Sequence, residues 1–478
     1  MELNQIYNQD ALEGLKQLDE NSIDAIISDP PYQLTSMTKQ RTDPIAVDGN
    51  DGNGNPFCRP QAKSGFMNKE WDVLPSVDIL KECLRVLKSG AWAMWLMTPR
   101  QDSQLEFLLR LRQAGFNISF SEISWIYLSG FPKAADLSLL ADKRACKEGL
   151  MQKLGREPTK EEFKEAWGKW REVTGHDKHR SKERNDYSKD NFEWEKKDIP
   201  TSPEAQALNG SYAGMQLKPA RELIIVSQKP IAGKTYLDQA LLHLKEPEHN
   251  QLGGTWLDEA RIPYKSKDEY QNMPRGNLNS TSESKWGYKE LTIIGSPEGR
   301  FPANIIVSDN ALDIGINNKS IASSPNTEIS DSKNIYEFNG NKFYKSGVHY
   351  GDSGDLSRYF DLDFWFENKL KELPEEQQKI FPFLYVPKAS KSERNIGLSE
   401  ESIKRNIHPT VKPIKLTSYL ITLTTRENDI VLDPFIGSGT TAISSILLKR
   451  RFIGFEREEE YYKIAIERIK YYQKQRSV

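Results

Sequence analysis

The chain has 478 residues, too many for one ordinary hydrophobic core, and we expect one large elaborated domain or two domains. Its formal net charge of −2 excludes a basic surface over the whole molecule, so any contact with nucleic acid must be local. The three cysteines, Cys58, Cys83 and Cys146, form neither a disulfide framework nor a zinc pattern, which is typical of a reducing cytosol. We expect a cytoplasmic protein outside the membrane, because the sequence has no signal peptide and no apolar run of membrane length.

The first predicted helix and strand lead to a motif rich in proline. Residues 11–18 are predicted to form a short helix with its leucines on one side, and Asp10 is in position to be its N-cap. The apolar run 23–28 predicts a short buried strand. The next four residues, Asp29-Pro30-Pro31-Tyr32, end this strand because each proline lacks an N–H group and fixes φ. Open α/β sheets place their chemistry at such carboxyl ends of strands.

The motif presents a carboxylate, free carbonyl groups and an aromatic ring at one strand end. The carboxylate of Asp29 and the carbonyl of Pro30 are both hydrogen-bond acceptors, and together they could hold the two hydrogens of an –NH2 group. Tyr32 could stack on the ring that carries the amine. Such acceptors would pull the nitrogen toward a pyramidal geometry and localise its lone pair for attack on a methyl group. The alternative is an ordinary surface turn, since Asp-Pro-Pro is favourable in turns, and these residues alone leave both interpretations open.

Helices and strands alternate through the rest of the first 130 residues, after a long polar loop at 33–65. This alternation indicates a parallel sheet covered by helices. The predicted elements are a helix at 77–87 ended by Gly90, a strand at 91–97, a helix at 102–114 and a strand at 118–128.

The middle of the chain interrupts this alternation. Residues 143–184 carry 13 Lys and Arg against 8 Asp and Glu, which fits a solvated helix face or a local contact with DNA. Thr159 and Glu162 form a capping-box pattern that predicts a helix ending at Gly175. The aromatic stripe on that helix is more typical of a core than of a base-stacking platform; it comprises Phe163, Trp167 and Trp170. A strand returns at 221–227, and residues 231–380 are polar without strong periodicity.

Order returns in the last hundred residues, with predicted strands at 428–435 and 451–456 and predicted helices at 440–450 and 458–472. A glycine loop, Gly437-Ser438-Gly439, lies at the first strand-to-helix junction. Its glycines permit close backbone approach, and the following helix N-terminus offers unpaired N–H groups to an anionic group. Glu456 ends the next strand, where an acid can bind ribose hydroxyls.

Two common glycine-loop families do not match this loop. A dinucleotide-binding loop needs a third glycine where Ala442 stands, and a Walker A loop needs Gly-Lys-Ser or Gly-Lys-Thr, which is absent. A tight turn that caps a helix is the structural alternative.

Three motifs together resemble one enzyme family. Asp29-Pro30-Pro31-Tyr32, His408-Pro409-Thr410-Val411-Lys412-Pro413 and the stretch 433–441, in that order, resemble the beta group of amino DNA methyltransferases, which use S-adenosylmethionine. The stretch 385–468 looks particularly like phage and prophage adenine methylases. The resemblance covers about residues 1–130, 218–230 and 384–475. It implies an α/β, Rossmann-like sheet of seven mostly parallel strands in permuted order, with a large inserted target-recognition region.

The resemblance also implies roles for single residues. Asp29 and the Pro30 carbonyl would hold the target amine beside Pro31, and Tyr32 would stack on the flipped-out base. The chain would bind S-adenosylmethionine with the methionine part at the glycine loop, the ribose at Glu456 and the adenine amino group at Asp10. No metal is implied. The full cofactor set is Asp10, Thr410, Lys412, Pro413, Asp433, Pro434, Phe435, Gly437, Ser438, Gly439, Thr440, Thr441 and Glu456.

The same resemblance divides the chain into parts. The expected parts are a catalytic half (1–130), an insertion open to DNA contact (131–217), a returning strand (218–230), a target-recognition region (231–383) and a cofactor-binding half (384–478). The expected activity is in-line methylation of adenine N6 in double-stranded DNA by a monomer or homodimer, in the cytoplasm of a bacterial or phage-infected cell. A cognate restriction endonuclease would be encoded separately.

Three alternatives stay open at this stage. Methylation of cytosine N4 uses the same chemistry, although Asp29 favours adenine, since serine is commoner at that position among N4 enzymes. A catalytically silent DNA-binding relic of a methylase is a second possibility, and intact Asp29, Tyr32 and glycine-loop residues argue against it. Methylation of RNA or of a protein amide is a third, and asparagine is more typical of those enzymes at position 29.

Overall fold

The computed structural model describes residues 1–33, 72–127, 134–170, 199–213, 217, 220–265, 296–308, 335–338, 341–344, 357, 360–378, 389–398 and 405–476. The predicted loop at 33–65 lies outside these residues except for Gln33. The chain forms two compact units: residues 1–129 with 220–478, and residues 130–219. No helix within the described ranges is both long and apolar enough to cross a membrane.

The strands, in chain order, are β1 (Gln5–Tyr7), β2 (Ile23–Ser28), β3 (Leu87–Met97), β4 (Ile123–Ile126), β5 (Ala135–Asp136), β6 (Tyr212–Ala213), β7 (Arg221–Gln228), β8 (Ile305–Val307), β9 (Ile335–Phe338), β10 (Asn341–Tyr344), β11 (Ile430–Asp433) and β12 (Arg451–Phe455). The helices are α1 (Ala11–Leu15), α2 (Val77–Val86), α3 (Gln101–Ala114), α4 (Leu137–Leu154), α5 (Lys160–Gly168), α6 (Pro203–Ala207), α7 (Tyr236–Lys245), α8 (Leu362–Lys371), α9 (Glu375–Gln378), α10 (Lys391–Asn395), α11 (Ile414–Thr424), α12 (Thr440–Leu447) and α13 (Glu459–Arg476).

The larger unit is organised around one sheet with the strand order β1-β12-β11-β2-β3-β7-β4-β8. Strand β7 runs antiparallel to both of its neighbours, and the other pairings are parallel. The predicted mostly parallel α/β sheet in permuted order is therefore confirmed. The permutation is visible where β1 pairs with β12 and where β2 pairs with β11, since each pair joins the two ends of the chain.

The sheet has eight strands where the resemblance implies seven. The additional strand is β8, which pairs in parallel with β4 at the sheet edge. Its residues Ile306 and Val307 are buried. The short apolar run in a polar region carried too little periodicity to indicate a strand, and its pairing depends on a partner about 180 residues away.

Gly90 has a different role from the one predicted. Helix α2 ends at Val86, and β3 begins at the next residue, so Gly90 lies inside the strand. The pairing of β3 with β2 is irregular there, and Gly90 has φ +78°. A Cβ atom at Gly90 would lie 2.9 Å from Nε2 of Gln239. A glycine bulge in β3 thus makes room for the side chain of α7.

Apolar side chains alternate between the two faces of the sheet. Ile27 and Met94 pack with α11 and α12 on one face, and Ile26 and Trp95 pack with α2 and α3 on the other. Every residue of α11 is buried. Central strands covered on both faces are apolar at consecutive positions, which is why 23–28 reads as a continuous apolar run.

The unit of residues 130–219 contains α4, α5 and α6 with the short β5–β6 pair. The predicted capping box of α5 is present, with Thr159 and Glu162 bonded reciprocally. The helix ends at Gly168, earlier than predicted, and Gly175 lies outside the described residues. Phe163 and Trp167 stack at 6.3 Å between ring centroids but are only half-buried.

Candidate active site

One cavity of about 410 Å³ opens at the carboxyl ends of β2, β11 and β12 in the larger unit. Because these strands are parallel neighbours, their carboxyl ends meet at one sheet edge. All the predicted site residues except Pro413 and Gly439 line this cavity. The lining set from the prediction is Asp10, Asp29, Pro30, Pro31, Tyr32, Thr410, Lys412, Asp433, Pro434, Phe435, Gly437, Ser438, Thr440, Thr441 and Glu456.

Asp29, Tyr32 and Lys412 form a connected polar group at one end of the cavity. The Tyr32 hydroxyl donates to Oδ1 of Asp29, and Nζ of Lys412 lies 2.8 Å from that hydroxyl. The same ammonium lies 3.2 Å from Oδ2 of Asp29. It also stands 5.2 Å from the centroid of the Tyr32 ring, so one face of that ring is near a cation. These contacts join Lys412 to the Asp29 motif.

Glu222, on the antiparallel strand β7, completes this group. Its Oε2 lies 2.9 Å from Nζ of Lys412, and its Oε1 accepts a 3.3 Å hydrogen bond from the Tyr127 hydroxyl. Sequence reasoning missed Glu222, because nothing in the run Arg221–Gln228 distinguishes it from an outward-facing strand residue. Only the pairing of β7 with β3 and β4 brings it to Lys412.

Burial and charge act against each other on these groups. Burial raises the pKa of Asp29 to about 6, although the Lys412 ammonium and the Tyr32 hydrogen bond both lower it. Burial and the neighbouring Asp29 charge raise the pKa of Tyr32 well above its usual value, so the phenol is neutral. Burial by itself lowers the pKa of Lys412, but Asp29 and Glu222 outweigh it and the pKa stays well above the usual value. At neutral pH the group therefore contains an ionised Asp29 and a charged lysine.

Asp72 holds the backbone of the Asp29 motif in place. Its Oδ1 accepts hydrogen bonds from the backbone N–H groups of Tyr32, at 3.0 Å, and Gln33, at 2.9 Å. Gln33 has φ +54°, an unusual value for a residue with a side chain. Asp72 is buried and lies 40 residues after Tyr32, and sequence reasoning gave it no role.

Asp433 fastens the glycine loop to the end of β2. Its carboxylate accepts hydrogen bonds from Ser28 Oγ at 2.6 Å, Thr441 Oγ1 at 2.6 Å and the Phe435 N–H at 3.0 Å. Burial raises its pKa to about 6 in spite of these bonds. Since Ser28 directly precedes Asp29, this carboxylate fixes the distance between the two motifs.

The two loop glycines face different neighbours. Gly437 has φ +53°, and a Cβ there would lie 2.8 Å from Nε2 of His408 across the cavity wall. Gly439 has φ +85°, and a Cβ there would lie 3.2 Å from the Cβ of Ala465 on α13. Gly437 therefore keeps the cavity open, and Gly439 permits the loop to pack on the C-terminal helix.

His408 is a neutral donor in this wall. Its ring packs edge-on against Tyr461 with 4.6 Å between centroids, and its Nδ1 accepts a 3.4 Å hydrogen bond from the Thr410 N–H. Burial lowers the pKa of His408 to about 3, so the ring is neutral. Because Nδ1 accepts a hydrogen bond, the ring hydrogen lies on Nε2, beside Gly437. Sequence reasoning quoted His408 within a motif but gave it no role.

Two buried ionisable side chains, Arg468 and Glu393, anchor the glycine loop and the start of α11. Arg468 on α13 donates to the Ser438 carbonyl at 2.6 Å and to its hydroxyl at 3.0 Å. Glu393 on α10 accepts from the N–H of Ile414, at 2.7 Å, at the start of α11. Pro413 is the N-cap residue of α11 and does not line the cavity.

Glu456 and Asp10 lie at the far end of the cavity. Oε1 of Glu456 accepts from the Glu458 N–H at 2.8 Å, and burial raises the pKa of Glu456 to about 7. Asp10 is exposed, and its Oδ1 accepts from the Leu12 N–H at 2.9 Å, so the predicted N-cap is confirmed. Each carboxylate keeps a second oxygen that can accept a hydrogen bond.

The cavity thus joins two functions at one sheet edge. The Asp29 end presents hydrogen-bond acceptors beside an aromatic ring, and the other end presents a glycine loop and an acidic strand end. A cavity at the carboxyl ends of the strands of a mostly parallel sheet is typical of α/β enzymes that bind nucleotide-like ligands. Within the described ranges, His, Cys, Asp and Glu side chains form no cluster of three or more that could hold a metal ion.

A family model described as DNA methylase, for N6 and N4 methyltransferases, matches residues 23–467. The chain belongs to this family.

Curated relatives match over a short stretch. The chain is 50% identical over 62 residues to the type II methyltransferase M2.LlaDCHI of Lactococcus lactis subsp. cremoris, covering 13% of this chain and 23% of the relative. It is 52% identical over 62 residues to M2.DpnII of Streptococcus pneumoniae, with the same coverage. To M.HindIII of Haemophilus influenzae it is 46% identical over 65 residues, covering 14% and 21%. The matched stretch thus spans about a quarter of each relative.

Two solved structures align along nearly the whole chain at low identity. The cytosine-N4-specific PvuII DNA methyltransferase is 12% identical, with 98% of this chain and 92% of that chain covered and a TM-score of 0.37. The complex of M1.HpyAVI with SAM is 13% identical, with 97% and 98% covered and a TM-score of 0.32. Both scores are below 0.5, and the fold assignment rests on the sheet itself.

Proposed function

We propose that this chain transfers a methyl group from S-adenosylmethionine to the N6 amine of adenine in double-stranded DNA. The observation that carries the proposal is that Asp29 and Pro30 open onto the same cavity as Gly437 and Glu456. The target acceptors and the cofactor loop must share one cavity if the methyl group is to pass directly between their ligands. Membership of the DNA methylase family supports the reaction class.

The residues of the cavity fit this cofactor. Gly437 leaves space beside the Nε2–H of His408, and both can face the methionine part. The Glu456 carboxylate, which accepts from the backbone N–H groups of Glu458 and Gly437, keeps lone pairs that suit ribose hydroxyls, and the second oxygen of Asp10 suits an adenine amino group. Thr410, Thr440 and Thr441 add hydroxyl groups to the lining. A volume of about 410 Å³ is within the range of small-ligand sites.

S-adenosylmethionine supplies an electrophilic methyl group: its S–CH3 bond breaks with the electron pair leaving on sulfur as the amine lone pair forms the N–CH3 bond. The Asp29 carboxylate and the Pro30 carbonyl accept hydrogen bonds from the two amine hydrogens, and these bonds strengthen as positive charge develops on nitrogen, because the N–H groups become stronger donors. Once the N–CH3 bond has formed, the cationic nitrogen is acidic and gives one proton to water; the neutral amine is far too weak an acid to lose that proton first. No cysteine lines the described part of the cavity, which supports direct transfer to nitrogen rather than carbon-5 methylation.

The target amine is hidden in a base pair, so the base must leave the duplex. Tyr32 lines the cavity, and stacking of the extruded base on its ring would offset part of the few kcal/mol that unstacking requires. Adenine is favoured over cytosine by the Asp at position 29, through the resemblance to adenine methylases. Cytosine N4 is the second candidate, because it presents the same amine to the same acceptors.

The first experiment identifies the methylated nucleoside. The pure protein is incubated with S-adenosylmethionine and unmethylated DNA, the DNA is digested, and nucleosides are identified by mass spectrometry. We expect N6-methyladenine from the wild type and none from Asp29→Ala, while Asp78→Ala, at an exposed acid on α2, behaves as the wild type. N4-methylcytosine would correct the base but keep the mechanism. No methylated nucleoside on DNA of varied sequence would overturn the proposal.

We also propose that the unit of residues 130–219 and the region 231–383 read the DNA sequence. The basic excess of residues 143–184 and the compactness of the first region support this assignment. Deleting residues 140–200 should abolish site-specific binding in a gel-shift assay and leave S-adenosylmethionine binding intact by calorimetry. Site specificity that survives the deletion would exclude that unit as the reader. The chain would work in the cytoplasm as a monomer or homodimer, with any cognate endonuclease encoded separately.

A further inference from the structure

Two carboxylates share one ammonium at the catalytic end of the cavity. Lys412 Nζ lies 3.2 Å from Asp29 and 2.9 Å from Glu222, and the three side chains are 11%, 19% and 17% exposed, respectively. Asp29 and Lys412 line the cavity, whereas Glu222 does not. Glu222 therefore acts on the site through the lysine and not by touching a ligand.

The position of Glu222 is fixed from behind. It lies on β7, the antiparallel strand between β3 and β4, and its second oxygen accepts from the Tyr127 hydroxyl at 3.3 Å. Its carboxylate is therefore held toward Lys412 by a neutral donor, which leaves its charge available to the ammonium. A second buried acid beside Asp29 raises the pKa of Asp29 and so disfavours its ionised form. A compensating role for Glu222 is therefore needed.

The charges at this end indicate what that role is. Lys412 alone would cancel the charge of Asp29, and the cavity would then present no net charge to a ligand. With Glu222 included, one ammonium is shared by two carboxylates and a net charge of −1 remains. The proposed methyl donor is a sulfonium cation, and the methylated amine carries positive charge as it forms, so a net negative charge favours both.

We propose that Glu222 is a positioning residue that neutralises Lys412, so that Asp29 presents a net negative charge to the sulfonium and to the amine. This inference rests on the proposed methyl transfer, which it extends to a residue outside the recognised motifs. If the Glu222–Lys412 pair were purely structural, the double variant would function no better than the Glu222 variant. If Glu222 neutralises Lys412, the double variant should recover.

The first test measures binding and needs no turnover. S-adenosylmethionine is a sulfonium cation at its methyl-bearing atom, and S-adenosylhomocysteine has a neutral sulfur there, so the ratio of their two Kd values reports the charge of the site. Calorimetry gives this ratio for the wild type, Glu222→Gln, Lys412→Met and the double variant. Glu122→Gln, at an exposed acid 3.9 Å from Arg221 at the end of the same strand, is the matched control.

We expect the preference for the sulfonium to fall about tenfold in Glu222→Gln, because the site then loses its net negative charge. In Lys412→Met the preference should rise, because the site then loses its positive charge. The double variant should return to the wild-type ratio, and Glu122→Gln should not depart from it. An unchanged ratio in Glu222→Gln, with both ligands still bound, overturns the inference alone. A wild type that binds neither ligand overturns the proposed function and this inference with it.

The second test follows the methyl-transfer step. In single-turnover reactions at saturating cofactor, Glu222→Gln should be at least about tenfold slower than the wild type, because Lys412 then remains on the oxygens that must accept from the amine. Removing the lysine as well should restore part of the rate. A double variant slower than Glu222→Gln would show a structural pair and contradict the inference. Glu222→Asp, which keeps the charge, should retain more activity than Glu222→Gln.

Discussion

At its Asp29 end the cavity is built from charged side chains, whereas at its Gly437 end it is shaped by backbone groups and hydroxyls. Burial opposes the charges of Asp29 and Lys412, and each favours the ionised form of the other, while Glu222 also favours the charged form of Lys412. The glycine loop depends on φ values and close contacts, with Asp433 and Arg468 as its fasteners. A substitution that removes charge but keeps shape should therefore damage the Asp29 end. A substitution that alters shape but keeps charge should damage the Gly437 end.

Asp29→Asn separates the two ends most strongly, because it keeps the shape and removes the charge. We expect the single-turnover methylation rate to fall on the order of 100- to 1000-fold, as for other losses of a group that stabilises developing charge. Binding of S-adenosylhomocysteine, which lacks the sulfonium, should change little and is measured by calorimetry. A loss of binding as large as the loss of rate would mean that the carboxylate mainly holds the fold.

Gly437→Ala is the corresponding change at the other end, since it keeps the charge and alters the shape. The alanine must adopt φ +53° and would place its Cβ 2.8 Å from Nε2 of His408. We expect the affinity for S-adenosylmethionine to fall about tenfold or more, because strain of this kind costs about 1–3 kcal/mol. Gly168→Ala, where a Cβ meets nothing within 4 Å, is the control and should bind normally. Equal affinities in the two variants would contradict the assignment of Gly437.

The pH dependence of the rate sharpens the account of the charged end. Asp29 must be ionised to accept from the amine, and its pKa is about 6, so the rate should fall about tenfold per unit as pH drops below 6. Lys412 lowers that pKa, so Lys412→Met should move the acid limb to higher pH. The reactions are run at saturating cofactor because Glu456, with a pKa of about 7, titrates at the binding end. A profile that stays flat from pH 5 to 8 would exclude this role for Asp29.

Asp10 should give the smallest effects. Its Oδ1 caps α1, so Asp10→Ala should lower the free energy of unfolding by about 1 kcal/mol in a denaturant titration. Asp10→Ser keeps the cap and should be nearly as stable as the wild type. Both variants should bind S-adenosylmethionine a few-fold more weakly, since one hydrogen bond contributes about 1 kcal/mol. Unchanged affinity in both would leave Asp10 with the capping role only.

Local patterns in the sequence predicted most of the framework. The strand at 23–28, the helix that ends at Ala114 and the glycine loop after Asp433 were all readable, because each depends on neighbours within a few residues. The loss of N–H groups at Pro30 and Pro31 marked the strand end before its partners were known. The boundaries were less readable: α2 ends one residue earlier than predicted, and Gly90 makes a bulge rather than a helix end, because Gln239 occupies the space beside it.

The sequence by itself determined the apolar strands, the prolines and glycines that end or bend them, and the three motifs whose order resembles the family. Only the tertiary structure decided which acids stand beside the Asp29 motif. Glu222 lies 193 positions after Asp29, and Asp72 reaches Tyr32 from 40 residues away. A carboxylate on a strand has the same local pattern whether it faces water or an ammonium. The pairing of β7 with β3 and β4 puts Glu222 beside Lys412, and that long-range contact gives the site its charge.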